Sequence, residues 1–170
     1  MRIVDSPNHD ERPAGVEITL AVLHSISLPP GQYGGDAIER LFTNRLDPDA
    51  HPYFREIQAL RVSAHFLIRR DGEPVQFVPV ERRAWHAGES CWRGRSRCND
   101  FSVGIELEGS EEAPFEEAQY RALAPLLVDL RARLPLRHIA AHSDIAPGRK
   151  TDPGPHFDWR RLLLDLASAS

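Results

Sequence analysis

Apolar and polar positions change period several times along the chain, and each change marks an element. Ile18–His24 (ITLAVLH) is a short, nearly continuous apolar run, the pattern of a buried central strand. The Pro29-Pro30-Gly31 and Gly34-Gly35 clusters then force a loop. Asp36 is placed to cap a short helix through Phe42, and a second helix is predicted over His51–Leu60. Between Ala64 and Val80 two apolar-rich runs, HFLIRR and VQFVPV, flank Asp71-Gly72, which is a hairpin signal. Glu81–Phe101 has little periodicity and reads as a long loop, a type more often functional than idle.

Ser102–Gly109 alternates: Val103, Ile105 and Leu107 share one face of a strand, and Gly104, Glu106 and Glu108 the other. Glu116–Leu134 is the longest helix expected, with Tyr120, Leu123, Leu127, Leu130 and Leu134 on one face. Its start at Glu116 reads as poorly capped, and Pro125 should kink it or end its first part. His138–His142 (HIAAH) reads as a short strand, residues 143–156 as a Pro/Gly-rich loop, and Trp159–Ala167 as a closing helix. Strands interleaved with helices, plus one hairpin, predict an α/β fold with a central mixed β-sheet flanked by helices. With no repeat or linker, 1–170 is expected to be a single domain.

The size, 170 residues and 19.2 kDa, agrees with one core. A formal charge of -4 and a pI near 6.1 argue against a nucleic-acid partner. No apolar run reaches membrane-spanning length, and polar Met1–Glu17 has neither a signal-peptide pattern nor a lipidation box. The expectation is a soluble cytoplasmic protein. Cys91 and Cys98 lack a CxxC spacing and are expected as free thiols. Lys150 is the only lysine among 21 cationic side chains. Such a bias toward arginine makes the one ammonium a hint of a specific need.

Chemistry-bearing residues concentrate in His142–Asp152, a loop that holds a histidine, two aspartates and that lysine. A catalytic zinc site takes three N or O ligands and keeps a position open. His142 and Asp152 offer two, and His24, at the end of the first strand, is the best candidate for a third. The spacing fits equally a histidine capping a strand and an aspartate capping a turn. Glu106 and Glu108 share a face, so either is available as a carboxylate beside a metal-activated water, or both as a solvated strand face. The remaining histidines, His9, His51, His65, His86, His138 and His156, have no spacing that recommends them as ligands. Trp85, Trp92 and Phe101 beside Arg93, Arg95 and Arg97 suit a wall for an anionic ligand, or core anchors beside a solvated charge run.

Six stretches carry a resemblance: VLHSISLPPGQYGG (22–35), DPDAHPYF (47–54), LRVSAHFLIRRDGEPVQFVP (60–79), RAWHAG (83–88), RCNDFSVGIELEG (97–109) and AHSDIAPGRKTDPGPHFDW (141–159). In this order the chain resembles the cytoplasmic bacterial N-acetylmuramoyl-L-alanine amidases that recycle anhydro-muropeptides, a family related to peptidoglycan recognition proteins and phage lysozyme-amidases. The resemblance implies one Zn²⁺ per chain on His24, His142 and Asp152, with Glu106 as the catalytic carboxylate and Lys150 as the transition-state cation. It further implies Arg61 and Arg97 at the stem-peptide carboxylates, and Ser25, Trp85 and Ala146 around the substrate. Ser25 departs from the Asn of close family members, which alters a substrate hydrogen bond there. The implied reaction is hydrolysis of the amide between (anhydro-)N-acetylmuramic acid and L-alanine, by a monomer without nucleic-acid or membrane partners. An amidase of polymeric peptidoglycan shares this zinc site. A non-catalytic muropeptide-binding module would be expected to lose a ligand.

Overall fold

The computed structural model describes residues 1–169. Strands β1 (Arg2–Ile3), β2 (His9–Glu11) and β3 (Leu20–Ile26) precede two short helices, α1 (Ala37–Phe42) and α2 (Pro52–Ile57). The hairpin of β4 (Phe66–Ile68) and β5 (Pro74–Gln76) follows, turning at Asp71-Gly72 as the pattern predicts. Glu81–Phe101 then holds β6 (Arg82–Ala84), β7 (Cys91–Trp92), β8 (Arg95–Ser96) and a 3-10 turn at Cys98–Phe101, where sequence predicts only a loop. β9 (Ser102–Glu108), α3 (Glu117–Arg133), β10 (His138–Ala141), α4 (His142–Ile145) and α5 (Trp159–Ser168) complete the chain. No helix among the described residues is long and apolar enough to cross a membrane.

Six strands form one sheet in the order β1-β5-β4-β9-β3-β10. Only the β4–β5 pair is antiparallel, so the sheet is mixed, as expected. One face packs Ala21, Leu23, Phe66, Ile68, Val103, Ile105 and Leu107 against Leu123, Leu127 and Leu130 of α3 and Leu162 and Leu166 of α5. Full burial of each such large side chain contributes about 1.5–3 kcal/mol. The opposite face divides. Leu67, Val75 and Phe77 lie under α1 and α2, while Leu20 and Val22 lie under Ala87, Cys98, Phe101 and Ile145. Between these two covers the carboxyl ends of β3 and β9 stay uncapped, where open α/β sheets place their sites.

Several boundaries move from the sequence-based expectation. The central strand starts and ends two residues later than the apolar run, because Ser25 and Ile26 pair with Leu107 and Glu108. α3 runs unbroken through Pro125. Pro125 and Arg121, whose carbonyl loses its helical donor, are both exposed residues, while the buried Leu123, Leu126 and Leu127 hold the helix to the sheet. The start of α3 is well held: Gln119 Oε1 accepts from Glu116 N, and its Nε2 donates to the carbonyls of Ile68 and Glu108. Glu106 and Glu108 are no solvated edge face. β9 is central, and both are buried. Cys91 and Cys98 are free thiols.

Candidate active site

The site is built on a lateral pairing. His24 of β3 and Glu106 of β9 are register partners, so both side chains project from the same face at the same level. β10 lies on the other side of β3, and its end delivers His142 as the first residue of α4. The chain then returns through residues 146–152 to bring Asp152 back, where Asp152 O accepts from Ser143 N.

His24, His142 and Asp152 converge. Their donor atoms lie within 4.8 Å of one another. His24 Nδ1 is 2.9 Å from His142 Nδ1 and 3.4 Å from Asp152 Oδ2, and His142 Nδ1 is 3.1 Å from Asp152 Oδ1. Ligands at Zn–N and Zn–O distances of about 2.0–2.1 Å in a tetrahedron stand about 3.3 Å apart, close to these separations. The donor chemistry agrees. His142 Nε2 faces the Ala87 carbonyl at 3.1 Å, so that nitrogen donates and Nδ1 presents its lone pair to the cluster. Burial lowers His24 to a pKa of about 4, leaving it neutral. Burial pushes the Asp152 carboxyl up, but its hydrogen bonds with His142 and His24 outweigh this and hold it well below the usual range. Two imidazole nitrogens and one carboxylate form a ligand set suited to a divalent cation with an open position.

Glu106 is buried, and its Oε2 has no hydrogen-bond partner among the described residues. Burial raises its pKa well above the usual carboxylate value, the Asp152 charge raises it further, and Lys150 opposes both. A cleft of about 800 Å³ opens over this group, lined by His24, Ser25, Trp85, Glu106, Lys150 and Asp152 among others. Ser25 N also donates to Asp152 Oδ2 at 3.3 Å. Three residues named from sequence lie outside the lining. Arg61 is exposed and folds back onto the Gln58 and Leu60 carbonyls. Arg97 is exposed, in a left-handed conformation, and faces Asp100. Ala146 is buried at the C-cap of α4. The cationic wall is elsewhere too: Arg93 and Arg95 cover Trp92 and Phe101 around a separate pocket.

Sequence reasoning missed Arg149, His86, Asn99 and Arg12. Arg149 lines the cleft and donates to the Ala87 and Glu89 carbonyls. Arg12 donates to the carbonyls of Val80, Asn99, Asp100 and Ser102, which fixes both ends of the 81–101 loop. His86 and His65, without ligand spacing, are both neutral, lowered mainly by burial. The one local signal was Gly104 inside a strand, a mark of close approach by another group.

The N-acetylmuramoyl-L-alanine amidase family model matches residues 14–155. The chain belongs to that family. It is 56% identical over 171 aligned residues to the 1,6-anhydro-N-acetylmuramyl-L-alanine amidase AmpD of Enterobacter cloacae, covering 99% of this chain and 91% of the relative. A crystal structure of a selenomethionine derivative of AmpD superposes with a TM-score of 0.95 at 54% identity, covering 97% of this chain and 93% of that one. The Escherichia coli amidase AmiD, solved with the substrate anhydro-N-acetylmuramic acid-L-Ala-D-γ-Glu-L-Lys, superposes with a TM-score of 0.64 at 33% identity. That match covers 91% of this chain and 60% of AmiD. The amidase fold and the family expected from the six sequence stretches are thus both present.

Proposed function

We propose that this amidase cleaves the amide between 1,6-anhydro-N-acetylmuramic acid and the L-alanine of the stem peptide, in soluble muropeptides recycled from the cell wall. What carries the reading is one juxtaposition: the His24–His142–Asp152 cluster beside a buried carboxylate, Glu106, with an unpartnered oxygen. The near full-length similarity to AmpD proteins supports the anhydro-sugar substrate. In this reading 1–170 is one zinc-dependent domain that acts in the cytoplasm. All three donors come from one chain, which suits a monomer.

His24, His142 and Asp152 would hold one Zn²⁺. The chemistry such an ion would supply there is Lewis acidity, which would polarise a carbonyl and bring the pKa of water toward neutrality. Glu106 takes the proton of the attacking water and returns it to the alanine nitrogen, which is too basic to leave as an anion. Its raised pKa suits that exchange, since a group that must both accept and give a proton works best near the operating pH. Lys150, on the cleft wall, supplies an ammonium to the oxyanion of the tetrahedral intermediate. Ser25 and Trp85 line the part of the cleft that receives the substrate. Ala146, buried at the C-cap of α4, is outside the cleft lining and is not assigned a substrate contact. Arg61 and Arg97, outside the lining, serve a stem peptide that extends beyond the cleft to their guanidinium groups.

Turnover of a soluble anhydro-muropeptide, compared with intact sacculi and read by mass spectrometry, tests this reading. Release of free stem peptide from the soluble substrate alone is expected. Comparable release from sacculi would mark a polymer amidase, and release from neither a binding module.

A further inference from the structure

His24 is gripped on the side away from the metal cluster. Its Nε2 lies 2.9 Å from His86 Nδ1, with the two rings edge-to-face at 5.0 Å. His86 Nε2 in turn lies 3.1 Å from Ser102 Oγ. The ring occupies space that only glycine leaves open. A Cβ on Gly104, next but one to Glu106 on β9, would stand 2.4 Å from His86 Cγ and 2.7 Å from its Nδ1. Gly104 has no left-handed backbone conformation to explain it, so the close approach of the ring is what the missing side chain serves.

The backbone that carries His86 is equally fixed. Asn99 Oδ1 accepts from both His86 N (3.2 Å) and Ala87 N (2.8 Å). The next carbonyl, Ala87 O, is the one His142 Nε2 faces, and Arg149 Nη2 also donates to it. Two consecutive residues of one loop therefore contact the outer nitrogens of both imidazoles in the cluster.

The proton positions follow from donor and acceptor counts. A carbonyl only accepts, so Ala87 O sets the proton of His142 on Nε2. For His24 the partner is a second imidazole, and the contact has a direction. A metal ion on His24 Nδ1 needs the proton on Nε2, which then donates to His86 Nδ1. His86 must then carry its own proton on Nε2 and pass the bond to the Ser102 hydroxyl. The reverse direction would put a proton on His24 Nδ1, in the centre of the donor set, where it and a cation exclude each other.

We propose that His86 is a positioning residue for the metal centre: with Ser102 behind it and Gly104 making room, it orients the His24 ring and holds the tautomer that presents Nδ1 to the metal. This rests on His24, His142 and Asp152 being the zinc ligands. Partners of this kind typically change metal affinity 10- to 100-fold.

The test measures zinc affinity by competition with a chromophoric chelator, together with the visible spectrum of the cobalt-substituted protein. Wild type, His86→Ala, His86→Asn and Ser102→Ala are compared. His86→Ala should bind zinc about 10- to 100-fold more weakly and show an altered cobalt spectrum. His86→Asn, whose amide oxygen can accept from His24 Nε2, should recover most of the loss. Ser102→Ala should weaken binding in the same direction by less than about 10-fold. Unchanged zinc affinity and cobalt spectrum in His86→Ala would overturn the proposal while leaving the ligand assignment intact. Should that variant not fold, wild-type affinity and spectrum in Ser102→Ala would overturn it instead. Wild-type protein that takes up no metal would overturn the ligand assignment and this proposal together.

Discussion

Glu106 and His24 face each other across the β9–β3 ladder, while Glu108, two residues on, is paired with Ile26. The two glutamates share a strand face and differ in what meets them. Both Glu108 oxygens are taken by backbone amides, Gly34 N at 2.6 Å and Arg70 N at 3.0 Å, so this carboxylate ties two loops to the sheet. Glu106 has an oxygen without a partner among the described residues and opens on the cleft. Glu106→Ala should therefore lose about 10²-fold or more in kcat with normal zinc content and Tm. Glu108→Ala should lower Tm, because it leaves two amides unpaired at about 1–3 kcal/mol each. Loss of kcat confined to Glu108→Ala would reverse the two roles.

Zinc should be present at about one equivalent per chain in elemental analysis, as a single three-donor cluster requires. His142→Ala and Asp152→Ala should each lose it on dialysis against a chelator that leaves the wild type loaded. Asp152→Ala should show the larger loss, because it removes the one carboxylate of the three-donor cluster. A His142→Ala protein that retains a full equivalent would exclude that residue from the site.

The parts of this molecule that were legible in sequence are those whose cause is local. The hairpin at Asp71-Gly72 and the alternation of Ser102–Gly109 follow from a turn dipeptide and a period of two. The ends of β3 did not follow from local pattern, since Ser25 joins the strand through Leu107, more than eighty positions away. Glu106 and Glu108 are likewise indistinguishable on their own strand. Gly34 and Arg70, from two different loops, separate them. The 81–101 segment was opaque for the same reason. It is ordered by Arg12 and Asn99 through contacts to main-chain groups, which leave no periodicity to read.

His65 gives the protein a measurable sensitivity to acid. Its Nδ1 accepts from Gly104 N, its Nε2 faces the Arg82 carbonyl, and burial, followed by the Arg12 charge, lowers its pKa to about 3. Unfolded, it titrates near 6.5. Below that value the unfolded chain takes up a proton that the folded protein refuses until about pH 3, so stability falls as pH falls. From pH 7 to pH 5 this one ring should cost about 2 kcal/mol. His65→Gln keeps an acceptor and a donor without a titrating group, so its denaturation free energy should fall less than that of the wild type over this interval. Equal falls would mean that His65 is protonated in the folded state.

Lys150→Arg should be nearly inactive while it folds and binds zinc normally. Twenty arginines show that a guanidinium serves wherever this chain needs surface charge, and the adjacent residue shows what it does here. Arg149 Nη2 donates to two carbonyls, Ala87 and Glu89, so this guanidinium is committed to the main chain of the 81–101 segment. Lys150 lines the same cleft, close enough for its charge to lower the pKa of both Glu106 and His24. An ammonium offers compact donors to an oxyanion, whereas a planar fork needs room for two contacts and finds carbonyls and carboxylates to take them. Loss of such a group typically costs about 10²- to 10³-fold in kcat. A lysine that served only as surface charge would change stability by about 0.5 kcal/mol or less and leave kcat alone. The deciding comparison is kcat for Lys150→Arg beside zinc content and Tm for the same preparation. Near-normal turnover would show that the ammonium is dispensable and that the oxyanion is stabilised without it.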